Sequence, residues 1–379
     1  MVGMYSPTMP ARRSSCRLIQ PASKATRLLP LLATRLLPLL RVLRWHLLPA
    51  WMLVLSSAVQ AADLPDPAVA GRHEVALSLE SWTDASRQRT LPLRIVRPRH
   101  PASSLPMPVI LFSHGLGGSR EGGRTWGNHW ASHGYLVIHL QHPGSDSAVW
   151  QGAGDRAAMI EGLRDAMSPQ QFIARVADVG FVLDELARRV QSGDPVVGRA
   201  DLSRIGMSGH SFGAITTQAL AGERFGPSAG RLVDARIRAS IAFSPSGGRD
   251  TSVAGGGNRF TNIRQPFLSL TGTLDTSIAS KETAESRQLP FERMPGPDKY
   301  LLVLDGADHG TFGGQSELRA SRRTRPGAGS SDAAEASIRA VSLMFWNAHL
   351  SGDDRAREWL TGGAFVQRLG RSDRWRVKR

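Results

Sequence analysis

One five-residue stretch constrains this chain more than any other. Gly209-His210-Ser211-Phe212-Gly213 follows the apolar run Ile205-Gly206-Met207 and opens onto Ala214-Ile215, so a short strand is expected to stop at the serine and a helix to begin there. A serine held in so sharp a turn lies on strained backbone, and the residues that approach it from either side have no room for a Cβ. Gly at both flanking positions meets that demand. The turn lifts the serine hydroxyl out of the sheet and aims the next residue's N–H at the same point in space. Five residues of this kind also occur by chance, so the rest of the chain has to supply matching parts in the right order.

Apolar runs alternate with helix-length segments along the chain. His73–Leu79 and Leu91–Val96 read as an antiparallel pair. Pro108–Phe112, Tyr135–Leu140, Asp201–Ser208, Ala239–Phe243, Phe267–Leu270 and Tyr300–Leu304 read as further strands, the last of the chain being Tyr300–Leu304. Pro108–Phe112 is continuously apolar, the mark of a strand buried on both faces. Ser168-Pro169-Gln170-Gln171 combines a capping serine with proline at the first helical position, and Phe172, Val176, Val179, Leu183, Leu186 and Val190 then fall on one helical face. Helices are also expected over Thr125–Ser132 and Asp332–Leu350. Strands separated by helices imply a mostly parallel α/β sheet with right-handed crossovers. Two segments look irregular, 141–167 and 311–330.

The groups that could carry chemistry all follow predicted strand ends, where open parallel sheets gather their sites. Ser211, Asp275 and His309 occur in the chain order Ser, Asp, His. A serine hydroxyl becomes an effective nucleophile only when an imidazole removes its proton during attack, and His309 can do this and later protonate the leaving group. Asp275 would hold the imidazole's tautomer and stabilise its charged form. Asp308 and Asp305, close to His309, remain alternatives for the acid; an aspartate in a loop more commonly caps a turn. His114-Gly115-Leu116-Gly117-Gly118 supplies a loop whose Leu116 N–H, with that of Phe212, can face an oxyanion. A comparable donor is worth ~3–4 kcal/mol to the transition state. The loop has no following Gly-Lys-Ser/Thr and no ribose-binding acid, which excludes a nucleotide cradle, and Gly255-Gly256-Gly257 reads as surface. His139 and His142 with Asp146 lack the further ligands a metal centre needs. His142 and Trp150 are expected to line the substrate pocket instead.

At these residues the chain resembles a known group. Leu111–Arg120, Ala131-Ser132-His133-Gly134-Tyr135 and Gly209–Gly213 are similar to the platelet-activating-factor acetylhydrolase and dienelactone-hydrolase-like branch of the α/β hydrolases, over roughly residues 107–310. The resemblance implies an α/β-hydrolase fold, with a mostly parallel central sheet flanked by helices, and a serine carboxylic-ester hydrolase that needs no cofactor. There are two departures. Ala214 stands where a second glycine is frequent, and Phe243-Ser244-Pro245-Ser246 has no acid where the plasma acetylhydrolase type carries one. Asp275, one strand later, matches dienelactone-hydrolase-like and polyester hydrolases. The resemblance therefore implies ester hydrolysis on a small-molecule, lipid or polymer ester without implying a phospholipid. A serine amidase or peptidase would share the same triad, and a non-catalytic binding protein is the reading outside enzymes.

Composition bears on where the protein works. The formal charge of +15 is uneven, because residues 1–61 hold eight of the 47 basic side chains and none of the 32 acidic ones, which leaves 62–379 at +7. Arg41, Arg44 and His46 precede the apolar run Leu47–Leu55, and Val59-Gln60-Ala61 offers a cleavage site, so 1–61 reads as a targeting segment. It includes a direct repeat, Thr26–Leu32 and Thr34–Leu40, which suggests an over-long start. A secreted or periplasmic enzyme with no stable membrane insertion after processing is expected, an uncleaved N-terminal anchor being the alternative. Cys16 is the sole cysteine, so 62–379, read as a single catalytic domain, has none. The basic residues near 319–325 and the tail 368–379 accompany no nucleic-acid motif and read as solvated surface.

Overall fold

Strands β1 (Val75–Asp84) and β2 (Arg89–Pro98) form an antiparallel pair, and β2 pairs antiparallel with β4 (Leu136–Leu140). Strands β3 (Met107–Ser113), β5 (Ala200–His210), β6 (Ile237–Phe243), β7 (Phe267–Leu274) and β8 (Lys299–Asp308) continue the sheet in parallel, and β9 (Arg374–Lys378) closes it antiparallel to β8. The order is β1-β2-β4-β3-β5-β6-β7-β8-β9. This computed structural model describes residues 65–101, 105–225, 232–248, 259–277, 282–314 and 332–379, all within one compact unit, Val59–Arg379. The targeting segment 1–61, Cys16, Gly255–Gly257 and the basic residues near 319–325 lie outside the described residues.

Because successive strand residues point to opposite faces, the apolar runs in the middle of the sheet feed two cores at once. Ile110, Phe112, Val137 and Phe243 pack on one face with Trp126 and Trp130 of α1 (Arg124–Ser132) and with Phe345 and Trp346 of the C-terminal helix Asp332–His349. Val109, Leu111, Ile138 and Met207 pack on the other face against α3 (Pro169–Gln191) and α4 (Phe212–Ala221). The start of α3 follows its sequence signal: Ser168 caps it through the Gln171 N–H and Pro169 opens it. Val179, Val182, Leu183 and Leu186 are fully buried, each worth roughly 1.5–3 kcal/mol of transfer free energy.

Three expectations need correction. The segment 141–167 is not irregular throughout: Asp155 caps a helix, α2 (Arg156–Asp165), none of whose residues is buried. The tail is not a solvated terminus, and Tyr300–Leu304 does not lie in the last strand. Arg374–Lys378 alternates basic and apolar side chains, the period of a strand with one covered face. Trp375 stacks on Tyr300 at 5.7 Å and meets Phe365 edge-on at 4.8 Å, while the basic residues take the other face.

Candidate active site

Ser211 is the single residue between β5 and α4, with φ 57° and ψ −113°. A non-glycine residue there stores about 1–3 kcal/mol of strain, held in place by the surrounding packing. The glycines on either side are required by space. A Cβ on Gly209 would come within 2.3 Å of the Gly213 carbonyl oxygen, and one on Gly213 within 1.9 Å of the Ser113 carbonyl oxygen. The turn can form only where three backbone segments touch without side chains between them.

Three loops at the C-terminal ends of β5, β7 and β8 bring the sequence candidates together. The Ser211 Oγ lies 3.0 Å from His309 Nε2, and His309 Nδ1 lies 2.7 Å from Asp275 Oδ1. Asp275 is fully buried and also accepts a hydrogen bond from Thr271 Oγ1 at 2.9 Å. Burial alone would raise its pKa, but the His309 hydrogen bond and the Arg287 charge outweigh it and hold the carboxyl below its ordinary value. Asp308 is turned elsewhere: its Oδ1 accepts from the N–H and the hydroxyl of Thr311, a cap for the turn that follows. Asp305 accepts from Thr273. Among the three aspartates, Asp275 is the one joined to the imidazole.

Arg287 has no counterpart in the sequence reading. Its buried guanidinium places Nε 2.9 Å from Asp275 Oδ1, and its Nη1 donates to the Ser244 and Pro245 carbonyls. Asp275 is thereby fixed to the end of β6 as well as to β7. Arg287 sits twelve residues past Asp275 in a short irregular helix, and no periodic signal marks it.

The His114–Gly118 loop faces Ser211 across the sheet. Gly117 N–H donates to the Ser145 carbonyl and Gly118 N–H to that of Gly115. Leu116 N–H donates to no carbonyl among the described residues, and Phe212, first residue of α4, has no intrahelical acceptor. His142 N–H donates to His114 Nε2, so the His114 proton sits on Nδ1 and is given to the Gly115 carbonyl at 2.6 Å. Arg175 holds the loop from behind. Its guanidinium is fully buried and donates to the His114 carbonyl at 2.7 Å, to Ser145 Oγ at 2.8 Å and, more distantly, to the Gly115 and Ser145 carbonyls. Burial pushes the Arg175 pKa down to about 9. Arg175 interrupts the apolar stripe of α3 three residues after Phe172, and Asp178 does so again; charges within an apolar stripe are the signal that points to them.

His142 does not line the pocket. It is fully buried, with Nδ1 donating to Asp178 Oδ2 and Nε2 accepting from Ser113 Oγ, both at 2.9 Å. Ser113, His142 and Asp178 thus repeat the connectivity of Ser211, His309 and Asp275, yet all three are sealed from solvent. Burial pushes the His142 pKa down to about 4, and Arg87 and Arg89 both pair with Asp178. This second line is a structural brace. Trp150 is also placed outside the pocket wall, donating from Nε1 to the Gly117 carbonyl at 2.6 Å and bracing the loop externally. His139 gives its Nδ1 proton to the Gly122 carbonyl and Asp146 accepts from Gln141, so neither converges with His142.

Two cavities meet at Ser211. The larger, about 410 Å³, is walled by His114–Gly118, Leu163, His210, Ser277, His309 and Gly313. The smaller, about 30 Å³, lies between Leu116, Met167, Phe212, Ile215, Ser246 and Glu282.

Residues 84–168 match the family model of platelet-activating factor acetylhydrolase, isoform II. The resemblance read from the sequence therefore holds over the stretch that carries the His114–Gly118 loop. No curated protein matches the chain. The architecture is an α/β-hydrolase fold, and the match supports a hydrolase of the carboxylic-ester kind. Ser211, Asp275 and His309 all lie beyond the matched residues, so their grouping rests on the geometry above.

Proposed function

We propose that the protein is a serine carboxylic-ester hydrolase that works through an acyl-enzyme on Ser211. One observation carries this reading: the hydrogen-bonded line from Ser211 through His309 to Asp275 opens into a cavity that also holds Leu116 and its glycine loop. In the first half-reaction His309 takes the Ser211 proton as Oγ attacks the ester carbon. The developing oxyanion is met by the N–H groups of Leu116 and Phe212. The tetrahedral intermediate collapses, the alcohol leaves with the proton from His309, and water repeats the sequence to release the acid.

The two cavities support an assignment of the substrate halves. The leaving oxygen has to reach His309 Nε2, and His309 borders the 410 Å³ cavity, which suits the alcohol. The 30 Å³ cavity touches Ser211 away from His309 and suits a short acyl group. A small-molecule, lipid or polymer ester with a short acyl chain is the proposed substrate, and export to the periplasm or medium is the proposed location.

The test is a Ser211→Ala variant assayed on p-nitrophenyl esters of rising chain length, beside matched anilides. Loss of about 10⁶-fold in kcat at an unchanged melting temperature is expected. Retained turnover in the purified variant would remove Ser211 from the reaction, and faster turnover of the anilides would make the enzyme an amidase.

A further inference from the structure

The cavity at Ser211 contains a polar atom that the hydrolytic cycle does not use. His210 lines it beside His309, the two rings 4.7 Å apart, and its Nε2 lies 3.0 Å from the His309 carbonyl oxygen. A carbonyl only accepts, so the His210 proton resides on Nε2 and the lone pair on Nδ1. Burial pushes the His210 pKa down to about 3, which keeps the ring neutral and Nδ1 an acceptor at ordinary pH.

The room in front of Nδ1 is kept free by missing side chains. A Cβ on Gly115 would stand 3.2 Å from Nδ1 and 3.4 Å from the Ser211 Cβ, and one on Gly313 would stand 3.8 Å from Nδ1. Neither glycine has a left-handed φ; a Cβ on Gly115 would crowd Nδ1, and one on Gly313 would touch the ring at ordinary van der Waals distance. Among the described residues Nδ1 meets no donor, and an acceptor so placed in a cavity walled by bare backbone is suited to a donor brought by the ligand.

We propose that His210 Nδ1 is a recognition point for the alcohol half of the ester, accepting a hydrogen bond from a hydroxyl on the carbon next to the ester-bearing one. This rests on Ser211 acting as nucleophile with the alcohol on the His309 side. His210 adjoins His309, so a hydroxyl one carbon from the leaving oxygen reaches Nδ1 while that oxygen receives its proton from His309. The enzyme then favours esters of vicinal diols and polyols over those of simple aliphatic alcohols.

The experiment compares kcat/KM for 2-hydroxyethyl acetate and propyl acetate, esters of equal size that differ in the hydroxyl, each normalised to its alkaline hydrolysis rate. The wild type is expected to prefer the hydroxylated ester about tenfold, the worth of one hydrogen bond. His210→Phe is expected to abolish that preference. Losing the Nε2–H bond to the His309 carbonyl lowers both esters alike, so the ratio isolates Nδ1. Gly313→Ala places a methyl 3.8 Å from Nδ1 that meets no other described residue within 4 Å, and should abolish the preference too. A normalised ratio near one in the wild type, or a tenfold ratio surviving in either folded variant, overturns the proposal while leaving the hydrolase reading intact. If wild-type Ser211 neither turns over the two esters nor labels with a fluorophosphonate, the hydrolase reading itself fails and this inference falls with it.

Discussion

The guanidinium of Arg175 lies 4.3 Å from the centre of the Phe212 ring while its Nη1 donates to the His114 carbonyl at 2.7 Å. One side chain from α3 therefore touches the loop that carries Leu116 and the first residue of α4, the two segments proposed to supply the oxyanion donors. The proposed oxyanion hole would need a fixed distance between these two segments, and the planar guanidinium bridges them through contacts that an ammonium cannot reproduce. Arg175→Lys should lower kcat by about 10²-fold with KM changed less than about threefold, because the loss appears where charge develops. Steady-state kinetics on the folded variant checks this; an unchanged kcat would show that the loop holds its shape alone.

Asp275 was the favoured acid in the sequence and Asp308 an alternative, and their hydrogen-bond partners separate the two. Asp275→Asn should reduce kcat by about 10⁴-fold, since the amide cannot hold the His309 proton on the right nitrogen. Asp308→Asn removes part of a turn cap and should cost less than tenfold in kcat and about 1 kcal/mol in stability. Measuring both variants under the same conditions decides between them, and the reverse order would transfer the acid to Asp308.

Four of the described histidines are buried and set the acid limit of the fold, among them His114, whose pKa burial holds well below its ordinary value. Burial lowers the pKa of His129 to about 3, of His139 to about 3 and of His142 to about 4. Each folded value lies below the unfolded value of about 6.5, so the unfolded chain binds the extra proton. Their contribution is fully present above pH 6.5 and is lost as the pH falls toward the folded values. Each histidine gives a slope of up to about 1.4 kcal/mol per pH unit in that window. The melting temperature is expected to fall steeply between pH 6.5 and pH 4; thermal scans that stay flat across this range would contradict the assignment of neutral buried rings.

The C-terminal strand should matter for stability although it is far from Ser211 in the chain. Trp375 packs on Tyr300 and Phe365 and donates from Nε1 to the Leu360 carbonyl. Trp375→Ala should destabilise the fold by about 2–3 kcal/mol, somewhat less than a fully buried tryptophan, with kcat nearly unchanged. Denaturant unfolding measures the first and ester turnover the second. A variant as stable as the parent would return the tail to the status of a solvated end.

Ser211, the glycines at 209 and 213, and the helix start at Ser168 were legible because each is a local matter. Backbone sterics over a few residues decide a turn or a cap, and those residues are adjacent in the chain. The strand ends at Asp275 and His309 were legible for the same reason, since apolar runs stop where chemistry-bearing residues begin. His142 was misread as a pocket residue because its surroundings come from Ser113 and Asp178, which lie 29 and 36 positions away. The tail was misread because five alternating residues with three basic ones resemble a charged end until an exposed edge of β8 is there to receive them.

The order Ser211, Asp275, His309 and the glycine loop at 115–118 followed from sequence alone, and together they pointed to attack by an activated serine. The folded structure decided which aspartate meets the His309 ring, that the Ser113, His142 and Asp178 line is sealed, and that Arg175 and Arg287 hold the two sides of the site. These are questions of burial and of charge compensated across the chain. A residue's type states what it can donate or accept, but solvent access and distant partners determine whether it does so, and both arise only when separated segments pack together.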